Sequence, residues 1–278
     1  MKFVMTGHKG LIGTSLLERL EREGHKPVLL VDKREGKNVL DINSFELNES
    51  ADVLFHLASF NKINKCVIEP DIPFKEIAQS IHEVMKFCKE KKIPKIIYFS
   101  SSRVLKEERN VYTAAKLYGE ELVKGYFQCY GIDYLIIRPS TVYGPRDTYT
   151  RRLVEIFLRK ASKGEDLCIY GDGNKSLDFT YVEDFVDGLM LVLKEKNKAF
   201  DIGSGKEIRV SDVADLMINY FGKGRKVFLE PEIAQPQRVK IDISALEELG
   251  YSPKYDIEDG LKETIKWYLD NFDEIEEN

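Results

Sequence analysis

An α/β protein built on a doubly wound parallel sheet, with a smaller helix-rich lobe at the C-terminal end, is what this sequence predicts, and three observations predict it. From residue 1 to residue 145, short apolar runs alternate with longer stretches of helical periodicity, the pattern of a parallel sheet covered on both faces. Isoleucine, valine and phenylalanine dominate the short runs, as strands buried on both faces require. Between the first run and the first helical stretch lies Thr6-Gly7-His8-Lys9-Gly10-Leu11-Ile12-Gly13, a glycine turn of the kind that joins a strand to a helix.

Taken in order, the predicted strands are residues 2–5, 27–31, 53–57, 95–100 and 134–137, with helical patterns between them. Past residue 145 the periodicity predicts helices over 153–162, 182–193, 210–220 and 257–271, separated by turn-rich pieces and short strands at 200–203 and 226–229. These divide the chain into a nucleotide-binding, Rossmann-like domain at 1–146, which also receives 178–205, and a region at 147–278 that forms mainly the substrate lobe. The second lobe is expected to close a cleft over the carboxyl ends of the strands, where ligands bind in such folds.

Composition narrows the function classes. The chain has 278 residues, 43% of them hydrophobic and 32% charged, which gives a substantial core to a soluble globular protein. A net charge of −5 with both signs interspersed offers no nucleic-acid surface. The one acidic run, residues 273–277, reads as a solvated end. No apolar run approaches the ~18 residues of a membrane span, and the first strand begins too early for a signal peptide, so a cytoplasmic protein is expected. Cys66, Cys88, Cys129 and Cys168 are scattered, and neither a metal site nor a disulfide framework is indicated.

Each glycine of the turn has a physical task. Gly7 permits the tight turn, Gly10 lets the backbone approach a pyrophosphate, and Gly13 lets the helix pack closely on the strand. The N-terminal N–H groups and dipole of the following helix can receive that pyrophosphate. The second strand ends in Asp32, about 20 residues beyond the glycines, where a carboxylate can bond ribose hydroxyls and repel a ribose phosphate. That arrangement favours NAD over NADP, while Lys33 and Arg34 could instead hold the extra phosphate.

Tyr112 and Lys116, four residues apart, share one face of a helix that runs to Tyr130. A nearby ammonium, helped by a positive nicotinamide, is expected to favour the phenolate and lower the tyrosine pKa from about 10, making Tyr112 a general base. The strand before it ends in Ser100-Ser101-Ser102, where a hydroxyl could bond the reacting oxygen.

These residues, with Asp41-Ile42, His56-Leu57-Ala58, Arg138-Pro139-Ser140-Thr141-Val142-Tyr143-Gly144-Pro145, Ile169-Tyr170-Gly171-Asp172-Gly173 and Asp178-Phe179-x-Tyr181-Val182-x-Asp184, occur in an order that resembles the extended short-chain dehydrogenase/reductase family, the NAD-dependent epimerase/dehydratases of nucleotide sugars. The resemblance runs to Gly260-Leu261-x-x-Thr264-Ile265-x-Trp267-Tyr268. It implies that Gly7, Gly10, Leu11, Ile12 and Gly13 cradle the pyrophosphate and Asp32 the ribose. It further implies that Asp41 and Ile42 flank the adenine, that Leu57, Ala58 and Ser59 line the cofactor path, and that Pro139 sits near the nicotinamide. Ser101 is the implied catalytic hydroxyl because it lies three residues before Val104, with Ser102 the alternative.

Several positions depart from the family pattern. Only ten residues separate Ser101 from Tyr112, which shortens one wall of the sugar pocket, and Leu105 replaces a tyrosine. Thr141 stands where many members have asparagine, and Leu177 replaces an arginine that often pairs with substrate phosphate. Arg146, Arg151, Arg152 and Arg238 are the candidate substitutes. The implied function is 4-epimerisation of a UDP- or dTDP-hexose through a transient 4-keto sugar, in a homodimer. A keto-sugar reductase is the enzymatic alternative, and dehydration is disfavoured because Ser102 and Arg103 follow Ser101 with no carboxylate between. A cofactor-binding regulatory protein that has lost turnover is the alternative of another class.

Overall fold

The computed structural model describes residues 1–146 and 152–271. Twelve strands are present among them: β1 Lys2–Thr6, β2 Lys26–Val31, β3 Val53–His56, β4 Lys95–Phe99, β5 Asp133–Pro139, β6 Thr141–Tyr143, β7 Asp166–Tyr170, β8 Ser176–Leu177, β9 Phe179–Tyr181, β10 Lys198–Ile202, β11 Ile208–Arg209 and β12 Arg225–Leu229. Six of them form one sheet in the order β10-β5-β4-β3-β1-β2, and every neighbouring pair is parallel. The chain therefore leaves β1 towards β2 on one side and returns to β3 on the other. Their carboxyl ends diverge at that switch point, which is where a doubly wound sheet opens a ligand crevice.

Side-chain alternation explains why the strands are apolar throughout. Phe3 and Met5 of β1 face one core with Phe55, Ile97 and Leu135, while Val4 faces the opposite core with Leu54, Ile96 and Ile136. The first core continues without a break into the C-terminal lobe through Phe185, Val213 and Ile265, so the two parts share one apolar interior. That lobe is built from the helices Leu153–Lys163, Val210–Phe221 and Ile257–Asp270 with the two-stranded pairs β7–β12, β8–β11 and β6–β9. The short strands β6, β8, β9 and β11 carry two or three residues each, too few to show a period in the sequence.

Two helices position the site. Leu11–Arg22 starts at Gly10 and buries Leu11, Ile12, Gly13, Leu16 and Leu20. Val111–Tyr130 is set by a capping box at its start, in which the Asn110 side chain accepts from the Thr113 N–H and the Thr113 hydroxyl accepts from the Asn110 N–H. It ends at Gly131, whose φ of 70° supplies the left-handed C-terminal turn. Its buried face is Tyr112, Ala115, Lys116, Gly119, Glu120 and Val123, a 3.6-residue stripe that carries two charges where apolar residues are the rule. Among the described residues no helix is long and apolar enough to cross a membrane, and no group of three or more His, Cys, Asp or Glu side chains is placed to hold a metal ion.

Gly119 shows how tightly this helix sits on β4, because a Cβ there would lie 2.2 Å from the Tyr98 hydroxyl oxygen. That hydroxyl donates to the Lys116 carbonyl at 3.2 Å, so the ring has a reason to stay. In an exposed helix, Gly→Ala gains about 1 kcal/mol of propensity, whereas overpacking a core costs about 1–3 kcal/mol. Gly119→Ala is therefore expected to lower stability despite the better helix former. A melting temperature equal to or above the parent's in a thermal unfolding experiment would show that Tyr98 can move aside.

Candidate active site

The glycine turn is held by close backbone approaches. Gly7 has φ 78°, and its N–H donates to the Val31 carbonyl at 2.8 Å, joining the turn to the end of β2. A Cβ at Gly7 would lie 2.6 Å from the Ala58 nitrogen, and one at Gly13 would lie 2.2 Å from the Gly7 carbonyl oxygen. Both positions thus require glycine, one for the crossing of β1 past β3 and the other for seating the helix. A Cβ at Gly10 would meet only the Gly7 oxygen, at 3.4 Å, so its restriction lies on the side that faces the cleft. Leu11, Ile12, Leu57, Ser59 and Pro139 line the same cleft. The Ala58 N–H instead donates to the Thr6 hydroxyl at 3.2 Å.

Asp32 is buried at the end of β2 and fully oriented. One carboxylate oxygen accepts from the Lys9 N–H at 3.0 Å and the other from the Arg34 N–H at 3.0 Å. Arg34 lies with Nε 3.4 Å from that carboxylate, and exposed Lys33 pairs with Glu76 at 3.5 Å. The two cations that could have served a ribose phosphate are therefore engaged elsewhere, and the carboxylate that suits ribose hydroxyls is fixed in place. The glycine turn, whose backbone lines the cleft at Gly7, Gly10 and Gly13 at the start of a helix, and this carboxylate fit a dinucleotide. Asp41 is exposed on the turn Val39–Ser44, and Ile42 is buried in the core beneath it; neither lines the cleft.

Ser101, Tyr112 and Lys116 come together at the base of the cleft, all three buried. The Ser101 hydroxyl bonds the Tyr112 phenol and also accepts from the Arg103 N–H at 3.3 Å, which caps the turn Ser102–Leu105. Ser102 is buried away from the cleft, so the structure brings Ser101, not Ser102, to the tyrosine.

The expectation that Lys116 lowers the Tyr112 pKa is corrected. Burial pushes the phenol above its usual value, against the opposing pull of Ser101, Arg103 and Arg152. The Lys116 ammonium donates to the Phe99 carbonyl at 2.7 Å, and burial pulls its own pKa down to about 7. Desolvation outweighs the single neighbouring charge when both groups are taken out of water.

Beneath these residues lies a buried polar network. Ser100 donates to Glu120 at 2.5 Å, and Arg138 grips Glu120 with two bonds of 2.9 and 2.6 Å while lying 3.4 Å from Asp201. The guanidinium and the serine hold the Glu120 carboxyl below its usual range in spite of burial. On the same face of the sheet, the Thr6 hydroxyl lies 2.8 Å from His56 Nδ1, and burial lowers that imidazole to about 3, so it is neutral at physiological pH.

The cleft has a volume of about 720 Å³ and runs from the glycine turn to the C-terminal lobe. Among the described residues six cations line it, Lys62, Arg103, Lys116, Arg152, Lys160 and Lys175, against one carboxylate, Glu232. Arg152 donates to the Val142 carbonyl at 3.2 Å, and its Nε is buried with no hydrogen bond. Lys175 is buried and paired with Glu232. Thr141 and Leu177 form part of the wall, the latter apolar as its position in the sequence indicates.

Two expected substrate residues fall elsewhere. Arg146 pairs with Glu18 at the surface, outside this cleft. Arg238 is 78% exposed and forks onto Glu207 with two bonds of 2.7 Å. Arg151 lies outside the described residues. Sequence reasoning missed Arg103, Lys160 and Lys175 as cleft cations; only the proximity of Arg103 to the serine run offered a signal.

Comparison with known proteins gives this arrangement a place. The model of the NAD-dependent epimerase/dehydratase family matches residues 3–203. A putative UDP-glucose 4-epimerase of Methanocaldococcus jannaschii is 28% identical over 96% of this chain and 98% of that protein. A UDP-N-acetyl-alpha-D-glucosaminuronate decarboxylase of Bacillus cytotoxicus is 30% identical over 95% of this chain and 97% of that protein. Among solved structures, a UDP-glucose 4-epimerase of Thermotoga maritima with UDP-glucose superposes with a TM-score of 0.85, at 25% identity over 98% of this chain and 100% of that one. The matched segment contains the glycine cradle, Asp32 and the Ser101–Tyr112–Lys116 cluster, and with 201 of 278 residues inside it (203 − 3 + 1), the chain belongs to the NAD-dependent epimerase/dehydratase family.

Proposed function

We propose that the protein is a nucleotide-sugar 4-epimerase, acting on a UDP- or dTDP-linked sugar. The observation that carries this reading is the Ser101–Tyr112 hydroxyl pair beside Lys116 at the base of a cleft whose lining, among the described residues, holds no carboxylate next to them. Dehydration of a sugar calls for such an acid/base group, and Glu232, the one lining carboxylate, is tied to Lys175. In this reading 1–146 together with 178–205 serves the cofactor and 147–278 mainly the sugar. The four unpaired thiols, two of them buried, suit a reducing cytoplasm.

Gly7, Gly10, Leu11, Ile12 and Gly13 would hold the pyrophosphate of NAD and Asp32 its ribose. NAD, when bound, would supply a reversible hydride acceptor for the oxidation and re-reduction at sugar C4 that pass through a transient 4-keto sugar. The protein's part is proton handling and placement. Tyr112 takes the proton of the C4 hydroxyl, and Ser101, bonded to the phenol, hydrogen-bonds the same sugar oxygen. Lys116, fixed by the Phe99 carbonyl, adds positive charge below the phenolate in a site where low dielectric strengthens that interaction. The Glu120–Arg138 pair keeps the helix that carries both residues in register with the sheet. With Leu177 unable to pair with phosphate, Arg152 is the arginine placed to meet the diphosphate.

Turnover is tested by incubating the NAD-loaded protein with UDP- and dTDP-hexoses and following the C4 epimer by NMR. Tyr112→Phe is expected to reduce the rate by about 10²- to 10⁴-fold, with NAD binding retained, because general acid–base groups contribute that much. A phenylalanine variant as active as the parent would remove Tyr112 from the mechanism. A parent that neither epimerises any sugar nor changes the nicotinamide absorbance would place the non-catalytic reading ahead.

A second outcome follows from the positions of the arginines. Arg152→Ala should raise the KM for the sugar nucleotide by roughly ten- to a hundredfold, the worth of a charge-assisted phosphate bond of about 1.5–3 kcal/mol. Arg146→Ala and Arg238→Ala should leave it close to the parent value, since their guanidinium groups are committed to Glu18 and Glu207. Steady-state kinetics on the three variants decides, and an Arg238→Ala effect as large as that of Arg152→Ala would sink the assignment.

A further inference from the structure

Of the cleft cations that have no task in the reaction above, Lys175 is paired with Glu232, Lys160 donates to the Asp166 carbonyl and Lys62 is exposed, which leaves Arg103. Arg103 stands two residues after Ser101, on the turn Ser102–Leu105, and its backbone N–H is fixed by the Ser101 hydroxyl at 3.3 Å. Its side chain lines the cleft close enough to Tyr112 for the two groups to feel each other's charge. Nη1 is buried with no hydrogen bond, and among the described residues the guanidinium makes neither a hydrogen bond nor an ion pair. Among the described residues the one carboxylate in the cleft lining, Glu232, acts on the Arg103 charge without bonding it and is already bonded to Lys175, Asn64 and Gln235.

A guanidinium does not shed its proton at physiological pH, so one that is partly buried and bonded to nothing keeps its full charge and pays a desolvation penalty for the part withdrawn from water. A ligand that offers only hydroxyl groups satisfies an N–H but leaves the charge uncompensated. A carboxylate does both, and its two oxygens match the guanidinium fork. The place of Arg103 decides where on the ligand that carboxylate must be. Ser101 and Tyr112 hold the oxygen on the reacting carbon, and Arg103 is tied to Ser101 through its own backbone N–H, whereas Arg152, whose charge also reaches Tyr112, belongs to the C-terminal lobe at the start of the Leu153–Lys163 helix and donates to the Val142 carbonyl. The exocyclic carbon next to C4 of a hexopyranose is C6, attached at C5. The charge balance agrees, since among the described residues six lining cations against one carboxylate exceed what the net negative charge of NAD and the two charges of a sugar diphosphate together offset.

The geometry points to a nucleotide-linked hexuronate as the substrate, with Arg103 as the specificity-determining residue that receives the C6 carboxylate. This rests on the nucleotide-sugar reading of the same cleft. A neutral hexose linked to the same nucleotide would bind with Arg103 unpaired and more weakly.

The experiment is calorimetric titration of the NAD-loaded protein with UDP, UDP-glucose and UDP-glucuronate, for the parent and for Arg103→Gln and Arg103→Lys. The parent is expected to bind UDP-glucuronate about ten- to a hundredfold more tightly than UDP-glucose, the range of a charge-assisted pair. Arg103→Gln should abolish that preference while UDP binds as it does to the parent, and Arg103→Lys should keep part of it. An unchanged NAD affinity in each variant confirms that the site is still folded. Equal parent affinities for the two sugars would overturn the hexuronate inference and leave the epimerase reading standing. A loss in Arg103→Gln that is the same for UDP and both sugars would overturn it too, by making Arg103 a diphosphate ligand. If the parent binds none of the three, the nucleotide-sugar reading fails and takes this inference with it.

Discussion

The ion pair between Glu120 and Arg138 is the interaction on which the catalytic geometry depends. It joins the middle of the Val111–Tyr130 helix to β5, with Ser100 at the end of β4 donating to the same carboxylate and Asp201 of β10 beside the guanidinium. Replacing a buried pair by apolar residues is often neutral for stability, but removing one partner strands the other at a cost of about 3–5 kcal/mol. A purely apolar contact would hold the helix as firmly and could let it slide by a fraction of a turn. Two parallel bonds from a planar guanidinium fix both its height and its rotation. Tyr112 and Lys116 lie two turns and one turn before Glu120, so their direction is inherited from that anchor.

The glycine turn applies the same logic to the backbone. β1 and β3 diverge where Gly7 passes the Ala58 nitrogen, and the first helix comes down onto the Gly7 carbonyl at Gly13. Neither approach leaves room for a side chain, so the crevice is shaped by main chain alone. Asp32 completes it from β2, oriented by two backbone N–H groups rather than by a flexible partner. Cofactor placement therefore rests on atoms with no rotamers to lose, which keeps low the ordering cost of binding.

How much of this could be read from the sequence follows from what each feature depends on. The five N-terminal strands, the long helices and the cofactor cradle were legible because they obey local rules: apolar runs, 3.6-residue periods and glycine spacing. Tyr112 and Lys116 could be placed on one helix face by their spacing, whereas the choice of Ser101 within the serine run came from the family resemblance; the structure brings the three to one place. The electrostatics were not. Lys116 faces the Phe99 carbonyl and loses affinity for its proton through burial, which spacing alone does not reveal. Arg238 and Arg146 looked available to a phosphate because nothing local shows that Glu207 and Glu18 hold them. Lys175 sits on the cleft wall between β7 and β8, where the strands are too short to announce which way a side chain turns.

In the proposed mechanism, burial of Tyr112 gives the site a gate against wasteful chemistry. With its phenol pushed up by desolvation and Lys116 pulled down to about 7, the protein alone keeps both groups closer to neutral than either would be in water. The phenolate needs more positive charge nearby than the chain supplies, and the proton acceptor therefore forms when the site is filled rather than before. The excess of cations along the cleft works in the same direction from the substrate side. An anionic ligand relieves their mutual repulsion, so part of the free energy stored in unpaired cleft charge is released on binding and is available to hold the reacting carbon at the tyrosine. Residues that are individually unfavourable in the empty fold, a buried phenol, a half-neutral lysine and an unpaired guanidinium, become mutually favourable around the ligand that brings the missing charges.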